Sequence, residues 1–276
     1  WARRSRLPRR CKGSMASPEH PFGSDEWSFR GYEDWTWVTS SWPHAHDRAV
    51  SGKVFPGMVL LSTPLSKTLL ESLWNRTSPH LVADGGAMVL QKAAPELLPE
   101  LILGDFDSAK QEILQHYRDR GVEVRDLSHD QDTTDLEKCL HVAQEEFSCQ
   151  HLYIAGRFAG VNGRMDHTLG AMNALYKAQA KGLNAALLSD DSCVVLLTKG
   201  SHCLAPPKDS SCGLVPLGGA VNVSTRGLRW DVTDAVLEWG GLISTSNCPD
   251  EHGDGLVWVD TNGPVLWTCN QPLVET

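Results

Sequence analysis

Four short stretches hold most of the residues able to do chemistry. They are Asp84-Gly85-Gly86, Gly104-Asp105-Phe106-Asp107-Ser108, Asp130-Gln131-Asp132-Thr133-Thr134-Asp135 and Gly163-Arg164-Met165-Asp166-His167. Each follows or borders an apolar run. The second follows "LIL" directly, so a buried strand runs straight into two carboxylates. Asp105, Asp107 and Asp135 brought together would repel strongly without a cation between them. An all-oxygen donor set selects a hard metal, and Mg²⁺ holding waters and substrate phosphates fits best. The glycines let the backbone approach a phosphate and present its N–H groups.

Each stretch also has a plain structural reading. Asp84-Gly85 reads equally as a simple turn. Asp130 and Asp132 can cap the helix that follows, and Asp135 suits the positive end of a helix dipole. Arg164 with Asp166 reads as a surface ion pair, and His167 as a polar residue at a helix start. It is the series of four that favours a site.

The elements that must position these stretches alternate from about residue 57 to 190. "GMVLLS", "HLVA", "LPELILG", "VEVRDLS", "HLYIAGRF", "NAALLSD" and "CVVLLT" read as strands. "PLSKTLLESLWNRT", "AKQEILQHYRDRG", "DTTDLEKCLHVAQEEF" and "MDHTLGAMNALYKAQAKG" read as amphipathic helices. Such alternation predicts a parallel sheet with crossover helices, whose strand ends are the usual place for ligands. Beyond 190 come short strands separated by Gly, Pro and Asn turns, which predict an antiparallel β-sandwich. The expected fold is therefore α/β: an N-terminal parallel-sheet nucleotide-binding domain, residues 57–190, and a C-terminal antiparallel sandwich, residues 191–276. Residues 1–56 lack a steady apolar period and are expected to form a disordered extension, dispensable for stability.

Composition narrows the function classes. The net charge of −9 divides into +3 over residues 1–56, with nine Lys and Arg against six Asp and Glu, and −12 over the rest, with 16 against 28. An acidic body argues against nucleic-acid binding. No apolar run reaches the roughly 20 residues of a membrane helix, and nothing resembles a secretory leader, so a cytoplasmic protein with no membrane partner is expected. The eight cysteines include no CxxC pair and read as reduced thiols rather than zinc ligands or disulfides. A Walker phosphate loop is absent. "DFDS" lacks the fifth-position residue of the aspartyl-phosphate hydrolases, and DxD alone is also the metal motif of many glycosyltransferases.

The order "ADGGA", "GDFDS", "DQDTTDLEKCL", "GRMDH", "GLRWDVT" and "LISTSN" resembles the eukaryotic thiamine pyrophosphokinase family, from about Gly57 to Cys269. The resemblance implies a homodimer that transfers a pyrophosphoryl group from ATP to thiamine, giving thiamine diphosphate and AMP. It places Mg²⁺ on Asp105, Asp107 and Asp135. It places ATP against Asp84, Gly85, Gln131, Thr134 and Arg164. Asp107, Asp135, Arg164 and Asp166 would be the catalytic set. Asp166 would also lie near thiamine, and Trp230 would stack on its pyrimidine from the partner subunit. Ser244, Ser246 and Asn247 would line the same shared site. Two positions depart from the family pattern: Met88 stands where Asn is usual, and Ala159 replaces a glycine. Met88 motivates the alternative of a catalytically weak thiamine- or nucleotide-binding homologue. A metal-dependent phosphatase is a third reading.

Overall fold

The computed structural model describes residues 33–35, 38, 56–158 and 164–270. Its elements, in chain order, are β1 (Glu33–Asp34), β2 (Gly57–Leu60), α1 (Lys67–Trp74), β3 (His80–Ala83), α2 (Gly86–Ala93), β4 (Leu101–Gly104), α3 (Gln111–Asp119) and β5 (Glu123–Asp126). Next come α4 (Asp135–Glu145), β6 (His151–Ala155), α5 (Met165–Ala180), β7 (Asn184–Leu188), β8 (Ser192–Leu197), β9 (Gly200–Leu204), β10 (Cys212–Val215) and β11 (Val221–Arg226). The chain closes with β12 (Ala235–Leu237), β13 (Ser244–Asn247), β14 (Val257–Thr261) and β15 (Val265–Asn270).

The strands β5-β4-β3-β2-β6-β7 pair in parallel, as the alternation predicts. Their apolar residues alternate between two cores. Met58, Leu60, Val82 and Ile102 face α1, α2 and α3 through Leu70, Leu90 and Leu114. Val59, Leu81, Leu101 and Leu103 face α4 and α5 through Cys139, Ala143, Ala171 and Leu175. Near-continuous apolar strands are what a sheet covered on both faces requires. Ser66 caps α1 by accepting the Leu69 N–H at 3.2 Å, and Thr134 caps α4 by accepting the Glu137 N–H at 3.3 Å.

The change of texture near residue 190 marks a change of strand direction, while the sheet itself continues. β8 turns back antiparallel to β7, and β15, β10 and β13 extend the same sheet to ten strands. A second sheet, in the order β1-β9-β14-β11-β12, supplies the other half of a sandwich. Val195, Leu214 and Trp267 of the long sheet share one core with Val223, Val257 and Val259 of the second. That core is continuous with the one under α1–α3.

Two sequence expectations change here. The glycine turn after β3 opens α2, a helix the short "GAMVLQKA" pattern did not announce. A Cβ at Gly86 would sit 2.6 Å from the Leu60 carbonyl oxygen, so only glycine lets this helix approach β2 so closely. The other change falls within residues 1–56. Glu33 and Asp34 pair in parallel with β9, and Trp35 and Val38 are buried. The Trp35 indole N–H donates to His202 Nδ1 at 3.2 Å, and Tyr153 donates to the Val38 carbonyl at 3.2 Å. One strand and one Trp are too short a signal to show a period, yet they close the edge of the second sheet. The rest of that segment lies outside the described residues. We therefore expect Trp35→Ala to cost about 3–5 kcal/mol in chemical denaturation, as for other buried aromatic deletions. A loss below about 1 kcal/mol would place Trp35 outside the cooperative fold.

Candidate active site

The ends of β3 and β4 lie side by side, because Ala83 and Leu103 are register partners. Each strand is followed by an aspartate turn. Asp84 is buried at φ +30°. Its Oδ1 accepts the Ala109 N–H at 3.0 Å and its Oδ2 the Ser108 N–H at 3.2 Å. Asp84 thus ties the β3 turn to the β4 turn. Phe106, between the two aspartates of the second turn, has φ +57°. Left-handed backbone at an Asp and a Phe is uncommon and marks turns fixed by their surroundings. Ser108 Oγ donates to Asp107 Oδ1 at 2.8 Å, and the Asp107 N–H reaches Asp105 Oδ1 at 3.3 Å.

These turns bring one carboxylate oxygen each from Asp84, Asp105 and Asp107 within 4.8 Å of one another. The sequence placed Asp135 in the closest set, whereas the structure puts Asp84 there. Asp135 stands beside it at the start of α4. A Cβ at Gly104 would lie 2.8 Å from Asp84 Cβ and 3.1 Å from Asp135 Oδ1, so glycine makes room for both acids. Burial pushes the Asp84 carboxyl above its ordinary value, the Ala109 and Ser108 donors oppose this, and the charge of Asp107 adds to it. Burial also raises Asp135, and the charges of Asp105 and Asp84 add to the effect against Lys138. Raised carboxylates in one place store repulsion that a bound cation relieves. The donor set fits a hard divalent ion: it is all carboxylate oxygen, partly open to solvent.

The other sequence candidates fall into three groups. Gly85 begins α2 beside Ser108, its virtual Cβ lying 3.4 Å from the Ser108 Cβ. Thr134 caps α4, and Gln131 donates to the Ser128 carbonyl at 2.7 Å within its own loop. Asp130 and Asp132 do not cap α4 as the sequence suggested, since Thr134 does so; Asp130 instead accepts the Asp132 and Thr133 N–H groups and closes a turn in the loop before the helix. Arg164 and Asp166 form a two-bond ion pair at 3.1 and 2.5 Å, each about two-thirds exposed. The hydrogen bonds and charge of Arg164 hold the Asp166 carboxyl at about 2, which makes it a poor proton acceptor while that pair lasts. Met88 lies in the first turn of α2, its Cε 3.8 Å from the virtual Cβ of Gly85; Ala159 lies outside the described residues.

The remaining candidates gather at the far edge of the long sheet. Trp230 is 56% exposed, yet its backbone is fixed. Asn247 accepts the Trp230 N–H at 3.3 Å and donates to the Trp230 carbonyl at 2.9 Å. Asn247 is itself buried, and these two bonds hold the Trp230 loop. Asp231, which sequence reasoning passed over, accepts from Thr225, Gly227 and Leu228 and pins the other side of the loop. The signal for it was its place directly after Trp230, a short polar residue in a tight turn. Ser246 has φ +61° and is exposed, and Ser244 is half-buried in β13. The guanidinium of Arg229 sits 5.1 Å from the Trp230 ring centroid. An exposed indole on a rigid loop can stack on a cationic aromatic. If Trp230 carries thiamine, as the resemblance implies, Asn247→Ala is expected to raise the thiamine KM about tenfold while leaving the KM for ATP within about twofold, since loosening a support shell costs on that order. Equal effects on both constants would show that Asn247 does not act through Trp230.

Comparison with known proteins joins these two regions. A family model described as the thiamin pyrophosphokinase catalytic domain matches residues 70–187. A second, described as the thiamin pyrophosphokinase vitamin B1 binding domain, matches residues 201–266. Thiamine pyrophosphokinase 1 of Oryza sativa subsp. japonica is 35% identical over 221 residues, covering 72% of this chain and 81% of the relative. The chain belongs to the thiamine pyrophosphokinase family. Thiamine pyrophosphokinase 2 of Arabidopsis thaliana is 34% identical over 221 residues, covering 72% and 80% of the two chains. The solved structure of thiamin pyrophosphokinase from Candida albicans superposes with a TM-score of 0.72 at 20% identity, over 87% of this chain and 93% of that one. The yeast thiamin pyrophosphokinase gives the same score and identity over 93% and 96%. At that identity the superposition speaks for the fold of the family, a mixed α/β architecture. The catalytic match contains all four aspartates of the acidic turns, and the vitamin-binding match contains Trp230 and Asn247.

Proposed function

We propose that this chain transfers a pyrophosphoryl group from ATP to the hydroxyethyl oxygen of thiamine, giving thiamine diphosphate and AMP. The carrying observation is the group formed by Asp84, Asp105 and Asp107 at adjoining strand ends, inside the part of the chain that matches the family's catalytic model. We assign residues 57–190 to ATP and metal and residues 191–276 to the thiamine platform. Asp105, Asp107 and Asp135, with Asp84 beside them, would hold Mg²⁺. When bound, Mg²⁺ would neutralise phosphate charge and hold the triphosphate in one geometry.

The chain's own residues supply the rest. The thiamine oxygen bonds to the β-phosphorus, the bond from that phosphorus to the α–β bridging oxygen breaks, and AMP leaves with the electron pair. Positioning and charge stabilisation do most of such a transfer. Arg164 is exposed and able to turn from Asp166 to a phosphate oxygen. That exchange would release Asp166 from the ion pair that holds it near 2, and a freed carboxylate can orient or accept the hydroxyl proton. Gln131, Thr134 and Gly85 sit at the loops where the nucleotide would lie. Trp230 would stack on the pyrimidine, a contact worth about 0.5–2 kcal/mol.

The sheet supports an active site shared in a homodimer. Seven strand-to-strand steps separate β13, which holds the Trp230 loop, from β3. At about 4.8 Å per step that is about 34 Å measured along the sheet, farther than a side chain and a vitamin can bridge. A partner subunit would bring Trp230, Ser244 and Ser246 to the aspartates. The acidic surface speaks against a nucleic-acid partner. Among the described residues no helix is long and apolar enough to cross a membrane.

One incubation with ATP, Mg²⁺ and thiamine tests the reading. AMP and thiamine diphosphate are expected in equal amounts. Free phosphate in place of AMP would mark a phosphatase, and thiamine binding without AMP a binding protein; either outcome ends the proposal.

A further inference from the structure

Lys138 took no part in the sequence reading, yet it is the least expected residue near the acidic turns. It lies in the first turn of α4, three residues after Asp135, and its side chain is only 4% exposed. Lysines are almost never buried without a paired charge, because an ammonium loses its hydration. Here the paired charge is Asp135, whose Oδ1 lies 3.4 Å from Lys138 Nζ. The neighbouring Cys139 is fully buried, so the site sits against the apolar core between α4 and the sheet. Asp135 is confined from two sides. Gly104 leaves its Oδ1 only the room of a missing Cβ, and Lys138 holds the same oxygen. Asp135 Oδ2 makes no hydrogen bond among the described residues.

A lysine that served only α4 would point along the helix surface to water. Lys177 of α5, 53% exposed and paired across to Glu137 of α4, shows how a lysine on this surface keeps its ammonium in water. We infer that Lys138 is a positioning residue for the transfer reaction, fixing Asp135 through Oδ1 so that Oδ2 is the oxygen left for the divalent cation. The inference rests on the proposal that Asp135 is a cation ligand.

The sign of one measurement separates positioning from simple charge. A fixed ammonium beside a cation site repels the incoming ion. If charge were its whole effect, Lys138→Met would bind a divalent cation more tightly. If Lys138 orients Asp135, the same variant binds it more weakly, because the ligand is free to turn away. The test uses Mn²⁺ alone with the full chain, free ion being counted by electron paramagnetic resonance. Lys138→Met is expected to weaken Mn²⁺ about tenfold, the usual scale for losing a group that orients a ligand. Asp135→Asn is expected to weaken it at least as much, and the double variant no more than Asp135→Asn, since Lys138 acts through that carboxylate. Unchanged or tighter Mn²⁺ in Lys138→Met, with Asp135→Asn impaired, overturns the role of Lys138 alone. So does a further loss in the double variant. Wild-type Mn²⁺ binding by Asp135→Asn removes the ligand reading and this inference with it. Should Lys138→Met not fold, Lys138→Arg keeps a donor for Oδ1 and is expected within about threefold of the unsubstituted chain; a folded Arg variant weakened tenfold or more counts against positioning.

Discussion

Asp107→Asn is expected to lose about 100- to 1,000-fold in turnover while unfolding at no lower a temperature than the unsubstituted chain. The size follows from removing one preorganised charge that meets developing charge in the transition state. The unchanged stability follows from where Asp107 sits. It is exposed, its carboxylate accepts from the hydroxyl of Ser108, and it adds to the repulsion that raises Asp84. Asp84 contrasts with it: buried, with both oxygens carrying backbone N–H groups, it is as much a tie between two turns as a ligand. Asp84→Asn should therefore lose stability as well as rate. AMP formation across a magnesium titration, read beside a thermal melt, distinguishes the two. An Asp107→Asn enzyme with full turnover at every magnesium concentration would remove Asp107 from the site.

Restored activity on mixing two damaged chains is the second large effect. If Trp230 is the thiamine platform, Trp230→Ala should raise the thiamine requirement far more than the ATP requirement; the indole is exposed and its loop is held by Asn247 and Asp231. Asp107→Asn should damage turnover with ATP and Mg²⁺. If the site is completed by a partner, a mixed dimer carries one site with both defects and one with neither. A random mixture is half mixed dimers, each with one intact site. About a quarter of unsubstituted activity is then expected at saturating substrate, against about a hundredth or less for Asp107→Asn alone. The activity of Trp230→Ala chains alone is measured at the same thiamine concentration and its share subtracted. The motivation is the seven strand steps between β3 and β13, about 34 Å measured along the sheet. Subunit exchange demonstrated with labelled chains, without any gain in activity, would sink the shared site.

The acidic turns were legible in the sequence because strand ends in a parallel sheet follow from local alternation. Apolar runs such as "LVA" and "LIL", alternating with amphipathic helices, read as covered strands, and the turns after parallel strands emerge at the same edge of the sheet. The DQDTTD cap of α4 and the short turns beyond 190 were legible for the same local reason. Residues 33–35 and 38 were not, because a two-residue strand gains its place from β9 and His202, far along the chain. Nor was α2, whose eight residues form a helix only because Gly86 can lie against Leu60.

By itself, the sequence determined the alternation, the acidic strand ends, the family and the chemistry open to it. Tertiary structure decided which acids stand closest, putting Asp84 with Asp105 and Asp107 because β3 and β4 pair in register. It decided that Asn247 supports Trp230, an assignment that needs two hydrogen bonds across 17 residues of chain. It also buried Lys138 beside Asp135, a pairing that no charge pattern distinguishes from a solvated helix face. Local pattern fixes which face of an element is apolar. Only the packed sheet fixes which polar groups lose water together, and that loss sets their charges and their partners.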